Sequence, residues 1–104
     1  MSDLDVTITR LASIITLHAA GPVDGNTAAT LQEPLLAAAA DPSATVCLDL
    51  AHVPYMSSAG LRVLLLAAKA LRTRGERLQL AHVPPHIQNV LGIAGFTSFM
   101  DVVA

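Results

Sequence analysis

The sequence predicts a single α/β domain: a four- to five-stranded mixed β-sheet with packed α-helices. Three observations carry that prediction. Strand-length apolar runs alternate along the chain with longer runs of good helix formers. Leu48-Asp49-Leu50-Ala51-His52-Val53-Pro54 returns thirty residues later as Leu78-Gln79-Leu80-Ala81-His82-Val83-Pro84, the footprint of a βαβ unit whose two parallel strands leave by exit loops on the same edge of the sheet. And 104 residues, 53% hydrophobic against 13% charged, suffice for one real core and not for two, so one domain spans 1–104.

Val6 to Arg10 alternates apolar and polar residues, as an edge strand does with Val6 and Ile8 turned inward. Leu11-Ala12 is a short connection. Ser13 to Ala19, with Ile14, Ile15 and Leu17, is a second strand paired to the first through a tight turn. His18 reads as structural, because no second histidine or acid stands at ligand spacing. Gly21-Pro22-Val23-Asp24-Gly25-Asn26 is turn chemistry that closes on Asn26 or Thr27 as a helix N-cap. Ala28 to Ala40 then forms a helix with Leu31, Leu35 and Ala38 on one face. Pro34 predicts a kink there or a separate first turn.

Thr45 to Leu50 is a buried strand, and Leu61 to Arg74 a helix stopped by Gly75 at C′. Leu61, Leu64, Ala68 and Leu71 form its inward stripe, and Arg62, Leu66, Lys69 and Thr73 its outward one. Leu78 to Ala81 is a further strand. Pro84-Pro85 opens a short helix with Ile87, Val90 and Leu91 on one side, ending near Gly92 to Gly95. Phe96 to Val103 has room for a last turn and a terminal strand or short helix.

Bulk properties exclude several function classes. A net charge of −2 does not make a nucleic-acid surface; the nearby cations Arg62, Lys69, Arg72, Arg74 and Arg77 lack an aromatic platform and read as a solvated face. No apolar run reaches the ~20 residues a membrane span needs. The acidic start, Met1-Ser2-Asp3-Leu4-Asp5, has no apolar segment behind it, so no signal peptide is expected and the cytoplasm is the expected compartment. Cys47 is the single cysteine, which rules out an internal disulfide and a cysteine-based metal site. No metal or other cofactor is expected.

The chemistry concentrates where the central strand hands over to the central helix, at Pro54-Tyr55-Met56-Ser57-Ser58-Ala59-Gly60-Leu61-Arg62. A helix N-terminus presents free N–H groups and the positive end of the dipole. A serine there caps the helix, attacks an electrophile or receives a phosphate. The hydrolase elbow G-x-S-x-G fails because position 56 is Met, and no Asp…His pair follows in suitable order. Phosphate-loop patterns are missing as well. His52 and His82 are equivalent loop residues and read as structural or rim positions.

Val53 to Leu61, preceded by Leu48-Asp49-Leu50, resembles the signature of the STAS domain family, and within it the bacterial anti-sigma factor antagonists. Gly21-Pro22-Val23-Asp24-Gly25-Asn26-Thr27-Ala28 is similar to the family's G-x-L-D-x-x-T-A run into its first helix. Val90-Leu91-Gly92-Ile93-Ala94-Gly95-Phe96 is similar to its L-x-x-x-G-[LF] close. This chain has Ser57 for the family's Asp, Ala59 for its second Ser/Thr and Arg62 for its last Gly, and it retains the phosphorylated serine as Ser58. The resemblance implies regulation by protein–protein binding rather than catalysis. It implies an anti-sigma factor of the histidine-kinase-like serine kinase type as partner, and admits a PP2C-type phosphatase as a second. Ser58, or else Ser57, is the expected phosphorylation site. Asp24, Met56, Ser57, Ser58, Arg62 and Leu66 are the expected partner-binding residues. The alternatives are a STAS subunit of another signalling or lipid-transport complex, and a small-molecule or nucleotide sensor.

Overall fold

The structure, a computed structural model, describes residues 4–103. The start Met1-Ser2-Asp3 lies outside the described residues. Five strands form one sheet in chain order: β1 (Asp5–Leu11), β2 (Ile14–Ala20), β3 (Thr45–His52), β4 (Leu78–Ala81) and β5 (Met100–Val103). β1 and β2 are an antiparallel hairpin, and every later pairing is parallel. The connections are α1 (Ala28–Ala39), α2 (Ser58–Arg72) and α3 (Pro85–Ile93), with a short 3₁₀ turn over Phe96–Ser98 before β5. Right-handed crossovers that always step the same way place the three helices on one face of the sheet. That face buries Ile15, Leu17 and Ala19 of β2, Val46, Leu48 and Leu50 of β3, and Leu78 and Leu80 of β4.

Most elements lie where the residue pattern puts them. Gly75 adopts φ +73 and stops α2 with two bonds of the Schellman type, Gly75 N–H to the Arg72 carbonyl and Glu76 N–H to the Leu71 carbonyl, both 3.0 Å. Phe96 to Val103 holds both a turn and a terminal strand.

Four details differ from expectation. Ile8 of β1 is 54% exposed, because only Val6 of that strand packs against the core. Val90 of α3 is likewise exposed, leaving Ile87 and Leu91 as that helix's buried residues. Pro34 does not divide α1, which runs unbroken across it; the carbonyl it leaves without a donor belongs to Thr30, an exposed residue. Arg74 is no solvated cation: its guanidinium donates to the carbonyls of Ala39, Pro42 and Ala44 at 3.0, 3.3 and 3.1 Å and so ties the end of α2 to the α1–β3 turn.

Candidate functional site

The site is built where the exits of β2 and β3 run side by side. The Gly21 N–H donates to the His52 carbonyl and the Val23 N–H to that of Tyr55, each at 2.9 Å. The Ser57 N–H returns a bond of 2.8 Å to the Val23 carbonyl, and Val23 and Met56 form a parallel bridge. The two loops are thus zipped together just before α2 begins. Gly60 makes the fit possible. A Cβ there would stand 2.6 Å from Met56 Cγ, 2.9 Å from Val23 Cγ1 and 3.1 Å from the Val23 carbonyl oxygen.

The two serines divide the work at the start of α2. Ser57, in extended backbone, is the N-cap, and its Oγ accepts the Ala59 N–H at 3.2 Å. Ser58 is the first helical residue and is exposed; no described residue bonds to its hydroxyl. A helix N-terminus stabilises negative charge, so a phosphoryl group on Ser58 would sit in a favourable field.

Asp24 lies one residue beyond the zipper. Its Oδ1 accepts the Asn26 N–H at 2.9 Å, and its main-chain carbonyl accepts from Thr27 and Ala28 at 3.2 and 2.8 Å. Thr27 holds the N-cap position of α1 but makes no side-chain cap bond, and Asn26 lies outside it. The buried Thr27 hydroxyl turns back instead, accepting the Asp24 N–H at 3.0 Å and donating to the Pro22 carbonyl at 2.8 Å. Its effect is to hold the Asp24 turn rigid.

The remaining expected contact residues separate into surface and support. Arg62 and Leu66 are exposed on the outer face of α2, Leu66 at 39%. Met56 is 9% exposed; it packs under the loop against Gly60 and presents little surface of its own. Its neighbour Tyr55 is exposed and, with Met56, Leu61, His86, Ile87 and Val90, lines an apolar concavity of about 230 Å³ beside the start of α2. Leu61, expected in the inward stripe, is half-buried at this concavity, while Val63 and Ala67 join Leu64, Ala68 and Leu71 in the core. His86 Nε2 donates to the Pro54 carbonyl at 2.7 Å and fastens α3 to the loop.

A polar cluster on the sheet face opposite the helices is invisible to sequence spacing. His18 Nδ1 lies 3.1 Å from Asp49 Oδ2, and His82 Nδ1 3.2 Å from Asp49 Oδ1. The Ala51 N–H also donates to Asp49, at 2.9 Å. Burial pushes the Asp49 carboxyl up, but the bonds from Ala51, His18 and His82 outweigh it, and the net shift is downward. The cluster ties β2, β3 and the end of β4 together, so His18 and His82 both have structural roles. Burial, then the neighbouring Asp49 charge, pushes the Cys47 thiol up, consistent with an inert packing residue. Among the described residues no group of three or more His, Cys, Asp or Glu could hold a metal ion. Among the described residues no helix is long and apolar enough to cross a membrane.

Comparison with known proteins agrees with this geometry. Over 99 residues the chain is 35% identical to BtrV of Bordetella bronchiseptica, assigned as an anti-sigma factor antagonist, covering 95% of this chain and 85% of BtrV. The crystal structure of an anti-sigma factor antagonist from Mycobacterium paratuberculosis superposes with a TM-score of 0.84 at 18% identity, covering 95% of this chain and 84% of that one. The Bacillus cell fate determinant SpoIIAA in its phosphorylated form superposes with a TM-score of 0.75 at 15% identity, covering 96% and 92%. The sequence family described as "Mlab, STAS domain" matches residues 6–103, and the chain therefore belongs to the STAS domain family.

Proposed function

We propose that this chain is an anti-sigma factor antagonist whose binding is switched by phosphorylation of Ser58. The observation that carries the reading is the division between the serines: Ser57 is spent on the helix cap, while Ser58 presents an exposed hydroxyl at the helix N-terminus with no partner among the described residues. The 35% identity to BtrV supports the antagonist role, and a structural neighbour solved in a phosphorylated form supports the modification. The partner is an anti-sigma factor of the histidine-kinase-like serine kinase type, with a PP2C-type phosphatase to reset the switch. The partner surface comprises Asp24, Ser57, Ser58, Arg62 and Leu66, with Met56 supporting it from below. Phosphate adds about −1.5 to −2 charges at this surface and blocks binding there. Arg62, four residues after Ser58 on the same helix face, is placed to pair with the phosphate and withdraw from the partner.

The test is to incubate the chain with such a kinase and ATP, map the phosphate by mass spectrometry, and measure binding by calorimetry. Phosphate on Ser58, with Ser58→Asp folded but not bound, is expected. Phosphate on Ser57 alone, or on neither serine, overturns the switch; wild-type chain that fails to bind overturns the antagonist reading. The match to the family description naming Mlab favours one second reading, a STAS subunit of a different assembly.

A further inference from the structure

The chain has six cations, and three are committed to the fold. Arg10 pairs with Asp41 at 2.8 Å, and Arg74 holds three carbonyls. Arg77 bonds Asp101 and the carbonyls of Ser98 and Met100. The other three, Arg62, Lys69 and Arg72, make no ion pair or hydrogen bond among the described residues. All three lie on α2, which carries no acidic residue. Between Lys69 and Arg72 the surface sinks into a cavity of about 280 Å³ floored by Leu65, Ala68 and Phe99. A second concavity of about 330 Å³ continues from it, sharing Arg72 and Phe99 and bounded by Glu76, Arg77 and Ser98.

The helix dipole by itself favours cations in a last turn. It gives no reason for an apolar hollow between Lys69 and Arg72. We infer that this groove is a docking site for an acidic peptide segment of a partner protein. One aliphatic or aromatic side chain of that segment fills the hollow between Leu65, Ala68 and Phe99. Carboxylates on either side of it meet Lys69 and Arg72. The charge complementarity is specific to this helix: the chain as a whole is at −2, and the unpartnered positive charge is gathered on one face. A lipid surface fits less well, because a bilayer takes protruding apolar side chains and this apolar surface is recessed. Arg72 is fourteen residues beyond Ser58, roughly 21 Å along the helix at 1.5 Å per residue. The groove begins at Leu65, seven residues or roughly 10 Å beyond Ser58, and its charged edge, Lys69 and Arg72, lies farther still, so it does not include Ser58.

The test uses the whole chain, isotopically labelled for NMR, with synthetic octapeptides of Asp and Glu around one central Leu or Phe. Amide shifts at Leu65, Lys69, Arg72 and Phe99, with none at Ser57 to Gly60, are expected. Binding should weaken as salt is raised. Lys69→Glu combined with Arg72→Glu should weaken it about tenfold or more, as loss of charge-assisted bonds does, whereas Ser58→Asp should change it less than about twofold. Lys69→Arg with Arg72→Lys, which keeps both charges, should bind within about twofold of wild type, and an unchanged melting temperature of the Glu double variant shows that its loss is not a folding defect. The inference is overturned by shifts that map elsewhere, by no binding at millimolar peptide, or by equal binding of peptides with Asn and Gln in place of the acids. Binding to anionic phosphatidylglycerol vesicles without peptide binding overturns it in favour of a membrane.

Discussion

β3 with its exit and β4 with its exit begin with almost the same seven residues and end in different structures. Both strands bury two leucines, Leu48 and Leu50 or Leu78 and Leu80, and both run on through Ala-His-Val-Pro. After Pro54 the chain continues through Tyr55, Met56 and Ser57, zips onto Val23, and starts α2 under a serine cap. After Pro84 it starts α3 at once on Pro85, with no side-chain cap. The paired histidines diverge too. The His52 carbonyl accepts Gly21 N–H, while His82 turns to φ 54 and its ring reaches Asp49. A shared strand motif thus fixes packing, and the residues after it decide which exit is zipped to its neighbour and opens a serine-capped helix.

Four experiments sharpen that contrast. The largest effects should not discriminate between the exits. Leu50→Ala and Leu80→Ala, both fully buried, should each cost about 2–5 kcal/mol in denaturant unfolding. The helix glycines should discriminate. Gly60→Ala drives a methyl into Met56 and Val23 and should cost about 1–3 kcal/mol. Gly92→Ala in α3 meets nothing within 4 Å and should stabilise by roughly 0.5–1 kcal/mol. Equal effects at the two positions would remove the case for a tightly zipped site.

Ser57→Ala should lose about 0.5–2 kcal/mol with its cap. Ser58→Ala should stay within about 0.5 kcal/mol of wild type, and a larger loss would mark Ser58 as structural. The smallest effect is the acid limb. Arg10 foremost, then the Ser43 N–H and hydroxyl, hold the Asp41 carboxyl down at about 2 from an ordinary 3.8, and Asp49 is also lowered. Depressed carboxylates contribute stability that is present above their unfolded pKa and lost as pH falls through the folded value. The melting temperature should therefore drop between about pH 4 and pH 2, and Asp41→Asn should flatten part of that slope.

What the sequence made legible was local. β3, α2 and β4, the Gly75 stop and the contested pair Ser57 and Ser58 all follow from neighbours within a turn or a strand. The Asp49 cluster was not legible, because His18 and Asp49 are thirty-one residues apart and meet only through parallel register. The burial of Met56 and the need for Gly60 depend on Val23, which belongs to another loop. Arg74 looked solvated because its three acceptors are backbone carbonyls, which carry no sequence signal. Ile8 alternates correctly yet stays exposed, since alternation assigns a side and not what covers that side.

Strand order in this sheet equals chain order, and each strand after the first pairs with the one made just before it. A chain emerging from the ribosome can therefore add strands one after another and never reopen a pairing already formed. The zipper of Val23 onto Tyr55 and Ser57 uses no residue of β4 or β5. Because β5 pairs in the sheet only with β4, and its side-chain bonds go to Arg77, its detachment would leave the hydrogen bonds at Ser57 in place. The hydrogen bonds at the start of α2 are thus insulated from opening of the last strand.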